Sequence, residues 1–263
     1  MSTRTVQAGD VELTVRAGEH DAFWSLLEEG RWEPGTVHAI RALAAGADLW
    51  IDGGAWVGPT ALLAAAAGLR VVAYEPHPVC FEELCENVEL NPALAGRIAM
   101  RAVALSTRDG SADISTDEPG DTMASLVRAT RRSSAKVETV KAGTELARAG
   151  IGPATVLKLD IEGAEFAVLR DLARTLRRSR PTLLLSLHGY QLQEAHAKPV
   201  ARLVSVALRL RLLPIFIRYP HWYRLIDSGR FEGSPFRELG LRGRVRLFLE
   251  LSGSTLVFST RPL

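Results

Sequence analysis

Asp52-Gly53-Gly54-Ala55-Trp56-Val57-Gly58 follows a short apolar segment, Asp48 to Ile51, and precedes a helix rich in small residues. A second apolar segment then ends in Tyr74-Glu75-Pro76. Glycines let a backbone close tightly around a ligand, and a carboxylate after the next strand can accept two hydrogen bonds from a ribose diol. The two stretches therefore predict an α/β protein that binds a nucleoside cofactor.

The rest of the chain alternates strand and helix patterns around this turn. Predicted strands are Asp48–Ile51, Arg70–Tyr74, Ile98–Val103, Thr155–Leu159 and Thr182–Leu187, with helices Pro59–Ala67, Pro78–Asn87 and Ala164–Arg177 between them. Such alternation gives right-handed βαβ units and a parallel sheet with helices on both faces. Upstream, the pattern predicts a hairpin over 3–17 and helices over Asp21–Glu29 and Thr36–Ala45. We therefore predict an N-terminal hairpin and helical lead-in, residues 1–47, followed by one compact domain, residues 48–263.

Composition narrows the function classes. The 263 residues carry a formal net charge of +2, so no overall field favours nucleic acid. Cys80 and Cys85 are five positions apart, which does not place them on one helix face, and they form no disulfide framework. The longest apolar runs are too short to span a bilayer. We therefore expect a bacterial, cytoplasmic protein whose arginine-rich stretches are mainly solvated helix faces.

A second group of ionisable residues lies in Lys158-Leu159-Asp160-Ile161-Glu162-Gly163-Ala164-Glu165. Strand alternation would place Lys158, Asp160 and Glu162 on one side at the carboxyl end of a strand, where open α/β sheets bind ligands. Crowded ionisable groups perturb one another's pKa values, as catalytic groups do. The alternative is structural: Asp160 or Glu162 caps the helix that begins near Ala164, and Lys158 pairs with one of them.

His188 follows the next predicted strand and reaches the same edge of the sheet by topology. Its imidazole titrates near neutral pH and can also ligate a metal. Asp160, Glu162 and His188 together could hold a magnesium-like ion, although the sequence supplies no dedicated cage of ligands. We therefore predict that this group of residues contacts the substrate, and we leave a divalent metal optional.

These motifs together resemble the FkbM family of S-adenosylmethionine-dependent methyltransferases. The resemblance covers roughly residues 28–190, and the matching stretches are Asp52 to Gly58, Glu75-Pro76, Asn87-Val88-Glu89-Leu90-Asn91, Lys158 to Glu165 and Gly30-Arg31-Trp32-Glu33-Pro34. Two positions depart from the family pattern. Trp56 stands where the family usually has Asn, and Ser186 stands where a Glu often precedes the histidine after the fifth strand.

The resemblance implies a Rossmann-like class I methyltransferase fold. Its sheet would have seven strands, mostly parallel, with an antiparallel last strand near Ser254–Ser259. The implied cofactor is S-adenosylmethionine, and the implied cofactor-binding residues are Asp52, Gly54, Ala55, Gly58, Glu75 and Ala104. Of these, Glu75 would bind the ribose and Ala104 would face the adenine. The transferred methyl would be surrounded by Lys158, Asp160, Glu162 and His188.

We therefore expect an enzyme that methylates a hydroxyl of a sugar or natural-product acceptor. Two alternatives stay open: a methyltransferase-like module that binds without catalysis, which Trp56 favours, and a nicotinamide-dependent oxidoreductase. Against the latter, the turn lacks the three-glycine dinucleotide pattern. Acceptor specificity should lie in the N-terminal segment, residues 107–136 and residues 212–250. The arginine-rich tail could bind an anionic or glycosylated acceptor or form a homodimer surface.

Overall fold

The computed structural model describes residues 2–116, 133–187, 206–207, 210–226, 234–247 and 255–263. Three sequence predictions fall at least partly outside these ranges: the acceptor-specificity segments 107–136 and 212–250, and His188. Within the described ranges, strands and helices alternate from Leu49 to Arg101 and again from Ala142 to Ser186, as predicted.

The central sheet contains eight strands within the described residues. In spatial order they are β12 (Phe236–Glu238), β11 (His221–Leu225), β13 (Thr255–Ser259), β10 (Thr182–Ser186), β9 (Thr155–Leu159), β3 (Leu49–Gly53), β4 (Arg70–Tyr74) and β5 (Ile98–Arg101). Strands β3, β4, β5, β9 and β10 are parallel, and β13 runs antiparallel between β10 and β11. The predicted α/β fold and its antiparallel last strand are confirmed. The predicted count of seven is exceeded by β12, whose three residues are too few to show an alternating pattern.

Helices cover both faces of this sheet. They are α1 (Asp21–Glu28), α2 (Pro34–Ala44), α3 (Pro59–Ala66), α4 (Pro78–Glu89), α5 (Pro92–Ala95), α6 (Ala142–Ala149), α7 (Glu165–Asp171), α8 (Ala173–Ser179) and a C-terminal helix Leu241–Leu247. Helices α2 to α5 each begin with proline, which suits a first turn because its missing N–H has no helical partner there. The predicted single helix Ala164–Arg177 is divided into α7 and α8 at Leu172.

Two smaller sheets flank the central one. Strands β1 (Thr3–Ala8) and β2 (Val11–Arg16) form the predicted N-terminal hairpin. Strands β6 (Ala104–Ser106), β7 (Gly110–Thr116) and β8 (Ser133–Lys141) form a three-stranded sheet in the order β6-β8-β7. The predicted strand Ile98–Val103 ends earlier, at Arg101, because the chain leaves the central sheet there and enters the smaller one.

Strand alternation divides the apolar core between the two faces of the central sheet. Trp50 and Val156 face one side, with the hairpin and α1 to α4, whereas Leu49 and Leu157 face the other, with α6 to α8. Strands β3 and β9 are covered on both faces, so all five residues of each are buried. The lead-in shares this core, and its boundary at residue 47 stays a prediction. Within the described ranges, no helix combines the length and apolar character needed to cross a membrane.

Candidate cofactor cleft and active site

The turn after β3 brings three strand ends together. The N–H groups of Gly54 and Ala55 both donate to the Tyr74 carbonyl oxygen at the end of β4, at 3.0 and 3.1 Å. Gly54 has a φ of +80°, and a Cβ there would lie 1.9 Å from the Asp160 carbonyl oxygen after β9. Only glycine fits, because both the backbone angle and the close approach exclude a side chain. The tight turn predicted from the glycines is therefore confirmed.

Gly58 ends this turn and precedes α3. Its φ is +97°, and a Cβ would lie 2.7 Å from Leu84 Cδ1 of α4. Pro59 takes the first helical position, so the next N–H groups lie at the open end of α3. Ala55 and Gly58 are both buried, and their contribution to the site is the shape of the backbone.

Glu75 is buried directly after β4, with 6% of its surface exposed. Its two carboxylate oxygens accept hydrogen bonds from the backbone N–H groups of Trp56 and His77, each at 2.8 Å. Burial outweighs these bonds and the nearby Lys158 ammonium, and it raises the pKa of Glu75 to about 7. A carboxyl group that titrates near neutrality beside a cleft is typical of a functional site.

A buried ion pair lies beneath the turn. Lys158 Nζ is 3.0 Å from Asp52 Oδ1 and donates to the Gly54 carbonyl oxygen at 3.1 Å. The other oxygen of the fully buried Asp52 accepts a hydrogen bond from the Thr60 hydroxyl. Burial by itself would lower the pKa of Lys158, but the Asp52 carboxylate outweighs it, so this pKa lies above its usual value. Lys158 is therefore a fixed ammonium that holds the turn, and it does not accept a proton near neutral pH.

A cleft opens at the carboxyl edge of β3, β4 and β9. The predicted residues that line it are Gly54, Glu75, Ala104, Asp160 and Glu162. The remaining lining residues are largely apolar, and they are Trp56, Tyr74, Pro76, Cys80, Val103, Leu105, Ile114 and Ile161. A mainly apolar cleft with a few carboxylates at this edge suits a nucleoside ligand.

The chain leaves strand geometry before it reaches Asp160 and Glu162. Strand β9 ends at Leu159, and the backbone then turns through Glu162 and Gly163, with φ values of +49° and +99°. Simple alternation therefore no longer decides where Glu162 points. Asp160 stays close to the ion pair, since its Oδ2 lies 3.8 Å from Lys158 Nζ, and 21% of its side chain is exposed.

Glu165, the first residue of α7, holds the turn that leads into this helix. The sequence alone suggested only Asp160 and Glu162 as caps of the helix. The buried Glu165 carboxylate accepts hydrogen bonds from the N–H groups of Ile161 and Gly163 at 3.0 to 3.2 Å. A carboxylate that binds the backbone ahead of a helix stabilises the entry turn and suits the positive end of the helix. The Glu165 carboxylate thus fixes the turn that carries Asp160 and Glu162.

Asn87 and Asn91 connect the N-terminal hairpin to the glycine turn after β3. Asn87 Nδ2 donates to the Val57 carbonyl oxygen at 2.9 Å, and its Oδ1 accepts from the Arg16 N–H at 2.7 Å. Asn91 binds both the N–H and the carbonyl oxygen of Thr14 in β2. The two asparagines therefore position the turn and the lead-in relative to each other.

The structure brings most of the predicted site residues to one edge of the sheet. Those in or beneath the turn are Asp52, Gly54, Ala55, Gly58 and Lys158, and those in the cleft wall include Glu75, Ala104, Asp160 and Glu162. His188 lies outside the described residues. Among the residues that are described, no group of three or more His, Cys, Asp or Glu could hold a metal ion. A metal held by Asp160, Glu162 and His188 stays a prediction.

Sequence reasoning assigned no role to two residues that shape the site. Thr60 binds Asp52, and the only signal for it was a hydroxyl inside an otherwise apolar helix segment. Glu165 fixes the turn after β9, and its signal was a carboxylate in the first turn of a helix. Both signals are common, because first-turn acids and single hydroxyls occur in many helices without a functional role.

Comparison with known proteins leads to the family that the motifs suggested. The sequence profile of the Methyltransferase FkbM domain matches residues 52–207. Hexuronic acid methyltransferase AglP of Haloferax volcanii is 27% identical over 206 residues, which cover 77% of this chain and 75% of that protein.

Two solved structures are similar at lower identity. Methyltransferase FkbM from Methylobacillus flagellatus KT is 16% identical with a TM-score of 0.48, over 81% of this chain and 44% of that one. This chain therefore spans less than half the length of that structure. The O-methyltransferase from Bacillus cereus in complex with SAH is 13% identical with a TM-score of 0.43, over 86% of this chain and 80% of that one.

The strand order and the cleft at the carboxyl edge of the sheet define a class I methyltransferase fold. The FkbM domain match covers more than half of the residues. The chain therefore belongs to the FkbM methyltransferase family, as its motifs predicted.

Proposed function

We propose that this protein is an S-adenosylmethionine-dependent O-methyltransferase that acts on a hydroxyl group of a sugar or natural-product acceptor. Family membership and the 27% identical hexuronic acid methyltransferase support this proposal. The observation that carries it is one cleft that combines the glycine turn at Gly54, the buried carboxyl of Glu75 and the partly exposed Asp160. A cytoplasmic location and a homodimer remain predictions.

The turn and Glu75 would hold the cofactor. The Gly54 backbone lines the cleft, and each oxygen of Glu75 has a lone pair left to accept a hydrogen bond from a ribose hydroxyl. Ala104, with the apolar residues beside it, would contact the adenine. When bound, S-adenosylmethionine supplies a methyl group on a sulfonium, which is already activated for transfer to a hydroxyl oxygen.

The acceptor hydroxyl needs a group that takes its proton. Lys158 is excluded from this role because its ammonium is fixed by Asp52. The Asp160 carboxylate is exposed to the cleft and lies beside that ammonium, so we assign it as the general base, with Glu162 and His188 as further candidates. Positioning of the hydroxyl would contribute the rest of the rate.

Calorimetry with S-adenosylmethionine, its demethylated product SAH, and NAD tests the identity of the cofactor. We expect binding of the first two and none of NAD, and the reverse would contradict the proposal and favour the oxidoreductase. Gly54→Ala should abolish binding, because its Cβ would clash with the Asp160 carbonyl oxygen. Gly68→Ala is the matched control, since Gly68 has a similar φ of +93° but open space around it.

A turnover assay separates the enzyme from a binding module without catalysis. Asp160→Asn should lower kcat about 10²–10⁴-fold and leave cofactor affinity nearly unchanged, because the carboxylate acts on the acceptor. His188→Ala, measured with and without a chelator, tests the optional metal. Full turnover in both variants would show that the proton leaves by another route. Cofactor binding without turnover on any hydroxyl acceptor would favour the binding module.

A further inference from the structure

Trp56 occupies a backbone conformation that large side chains seldom adopt. Its φ is +51°, in the left-handed region where a non-glycine residue is strained. Strain of this kind persists only when the surroundings impose it, and it clusters at ligand sites. Here the N–H of Trp56 is held by the Glu75 carboxylate, and its partly buried side chain lines the cleft.

The Trp56 indole continues into an aromatic cluster of the lead-in. The Phe23 ring lies 4.4 Å from the Trp56 ring and 5.0 Å from the Trp32 ring, with both pairs edge to face. The His20 ring also packs edge to face with the Trp56 ring, with 4.8 Å between the ring centroids. Phe23, Trp32 and Trp56 are all partly exposed, whereas Trp24 and Trp50 are fully buried. The aromatic cluster therefore packs against the apolar core on one side and remains partly exposed to solvent.

Glu33 is a carboxylate that follows Trp32 of the aromatic cluster directly in the chain. It is only partly buried and has a strained φ of +35° at the start of α2. Its charge acts on Lys158, where it is one of the carboxylates that raise the pKa of that ammonium. The Glu33 charge is therefore near enough to the buried ammonium of Lys158 to act on it, although Glu33 comes from a segment well before the central sheet.

We propose that Phe23, Trp32, Glu33 and Trp56 form an acceptor wall that binds a pyranose ring, with the indoles against its C–H face and Glu33 accepting from its hydroxyls. A pyranose has apolar C–H faces and a rim of hydroxyl donors, which an aromatic surface beside a carboxylate matches. The inference rests on the proposed function, because it places the sugar of that reaction.

Indole N–H signals in a nitrogen-15 NMR spectrum test the acceptor wall directly. The chain has five tryptophans, and Trp222 is only 3% exposed, so Trp32 and Trp56 are the partly exposed ones. Methyl β-glucoside and glucuronate should each shift these two signals and leave those of Trp24, Trp50 and Trp222 in place. No shift of either signal with both probes, or an equal shift of all five, would overturn the proposal.

A separate titration with SAH keeps the two hypotheses apart. SAH should shift the Trp56 signal, because the Glu75 carboxylate that would bind the ribose also accepts a hydrogen bond from the Trp56 backbone. A spectrum that SAH leaves unchanged would contradict the proposed cofactor. That result is independent of the glycoside titration, which is run with and without SAH. A protein that binds SAH but no glycoside keeps the proposed cofactor and loses the acceptor wall.

Variants distinguish recognition of the sugar from packing of α1. Trp56→Asn should keep the fold, because Asn tolerates the left-handed backbone, and should weaken glycoside binding about threefold to tenfold as read at Trp32. Glu33→Gln should also weaken glycoside binding while SAH binding is retained. Leu241→Ala, at an 80% exposed position of the C-terminal helix, is the control that should change neither. Wild-type glycoside affinity in both wall variants would overturn the inference.

Discussion

The two halves of the central sheet bury different kinds of side chain. Around β3, β4 and β9, the buried groups include the charged residues Asp52, Glu75, Lys158 and Glu165, each at most 6% exposed. Around β10, β11 and β13, the core is mainly aliphatic and aromatic. There the rings of Phe216 and Phe258 stack at 4.3 Å with 9° between their planes.

This difference separates the cofactor half, around β3, β4 and β9, which carries the proposed cofactor cleft, from the aromatic half, around β10, β11 and β13. A buried charge is unfavourable unless it is paired and hydrogen-bonded, so a cluster of such charges contributes little net stability. Buried aromatic rings contribute directly through their apolar area and their mutual contacts. The cofactor half therefore keeps polar groups fixed around a cleft, and the aromatic half holds the sheet together.

Arg244, an arginine of the tail, makes contacts that stabilise the aromatic half. The Arg244 guanidinium lies 5.1 Å over the Trp222 ring and donates to the carbonyl oxygens of Leu239 and Pro220. These contacts fix the helix Leu241–Leu247 against β11. For Arg244 the structure shows a stabilising role, whereas an acceptor or dimer role for the other tail arginines stays a prediction.

The largest effect should come from breaking the buried ion pair of the cofactor half. Lys158→Met leaves Asp52 buried without its cation and should destabilise the protein by about 3–5 kcal/mol, with loss of cofactor binding. Denaturant unfolding measures this change. The double variant Asp52→Asn with Lys158→Met should recover much of the stability, because neither position of the pair then carries a charge. A double variant as unstable as the single one would contradict this explanation.

Removing a ring of the aromatic half should cost about as much stability without touching the site. Phe258→Ala leaves a cavity against Phe216 and should destabilise the protein by about 3–5 kcal/mol. Calorimetry on the folded fraction should give unchanged cofactor affinity. A clear loss of affinity would show that the two halves are coupled rather than separate in role.

Glu75 should make stability depend on pH in a defined direction. Burial raises its pKa from 4.5 to about 7, so the folded protein binds the proton more tightly than the unfolded chain. The associated stability, about 3 kcal/mol, is present below pH 4.5 and is lost as the pH rises through about 7. Unfolding of the wild type and Glu75→Gln across this range measures it. Parallel curves for the two proteins would contradict a raised pKa.

The smallest expected effect concerns cofactor affinity at one hydrogen-bonding site. Glu75→Gln replaces an acceptor of two hydroxyl bonds with a group that also presents donors, and it should weaken binding by about 1–3 kcal/mol. Wild-type affinity should rise with pH through about 7, because the ionised carboxyl is the better acceptor. That pH dependence should be absent in Glu75→Gln. An unchanged affinity would mean that the ribose is held elsewhere.

Local patterns predicted the fold and the position of the cleft. The alternation of strands with helices indicated a parallel sheet, in which β9 and β10 are neighbours, and the glycines after β3 indicated a tight turn, which Gly54 makes. Such signals lie within a few residues of each other along the chain. The three-residue strand β12 and the division of α7 from α8 escaped because they leave no periodic signal of their own.

The candidate site was predicted as a set of residues but not as a set of contacts. Strand alternation placed Lys158 and Asp160 on one side, and both do lie near each other. Alternation ended at Leu159, so it could not place Glu162, whose backbone is left-handed. Nor could it show that Glu165 would bind the turn, because that depends on how the chain folds back before α7.

The sequence by itself determined the α/β fold, the family and the edge of the sheet at which the cleft lies. Periodicity and short motifs suffice for these, because each is written in neighbouring residues. Only the tertiary structure decided that Lys158 pairs with Asp52, 106 positions away, that Asn87 and Asn91 hold the hairpin, and that Trp56 joins the lead-in to the cleft. These contacts depend on how distant elements pack, and no local pattern specifies which buried polar or aromatic group will meet which partner.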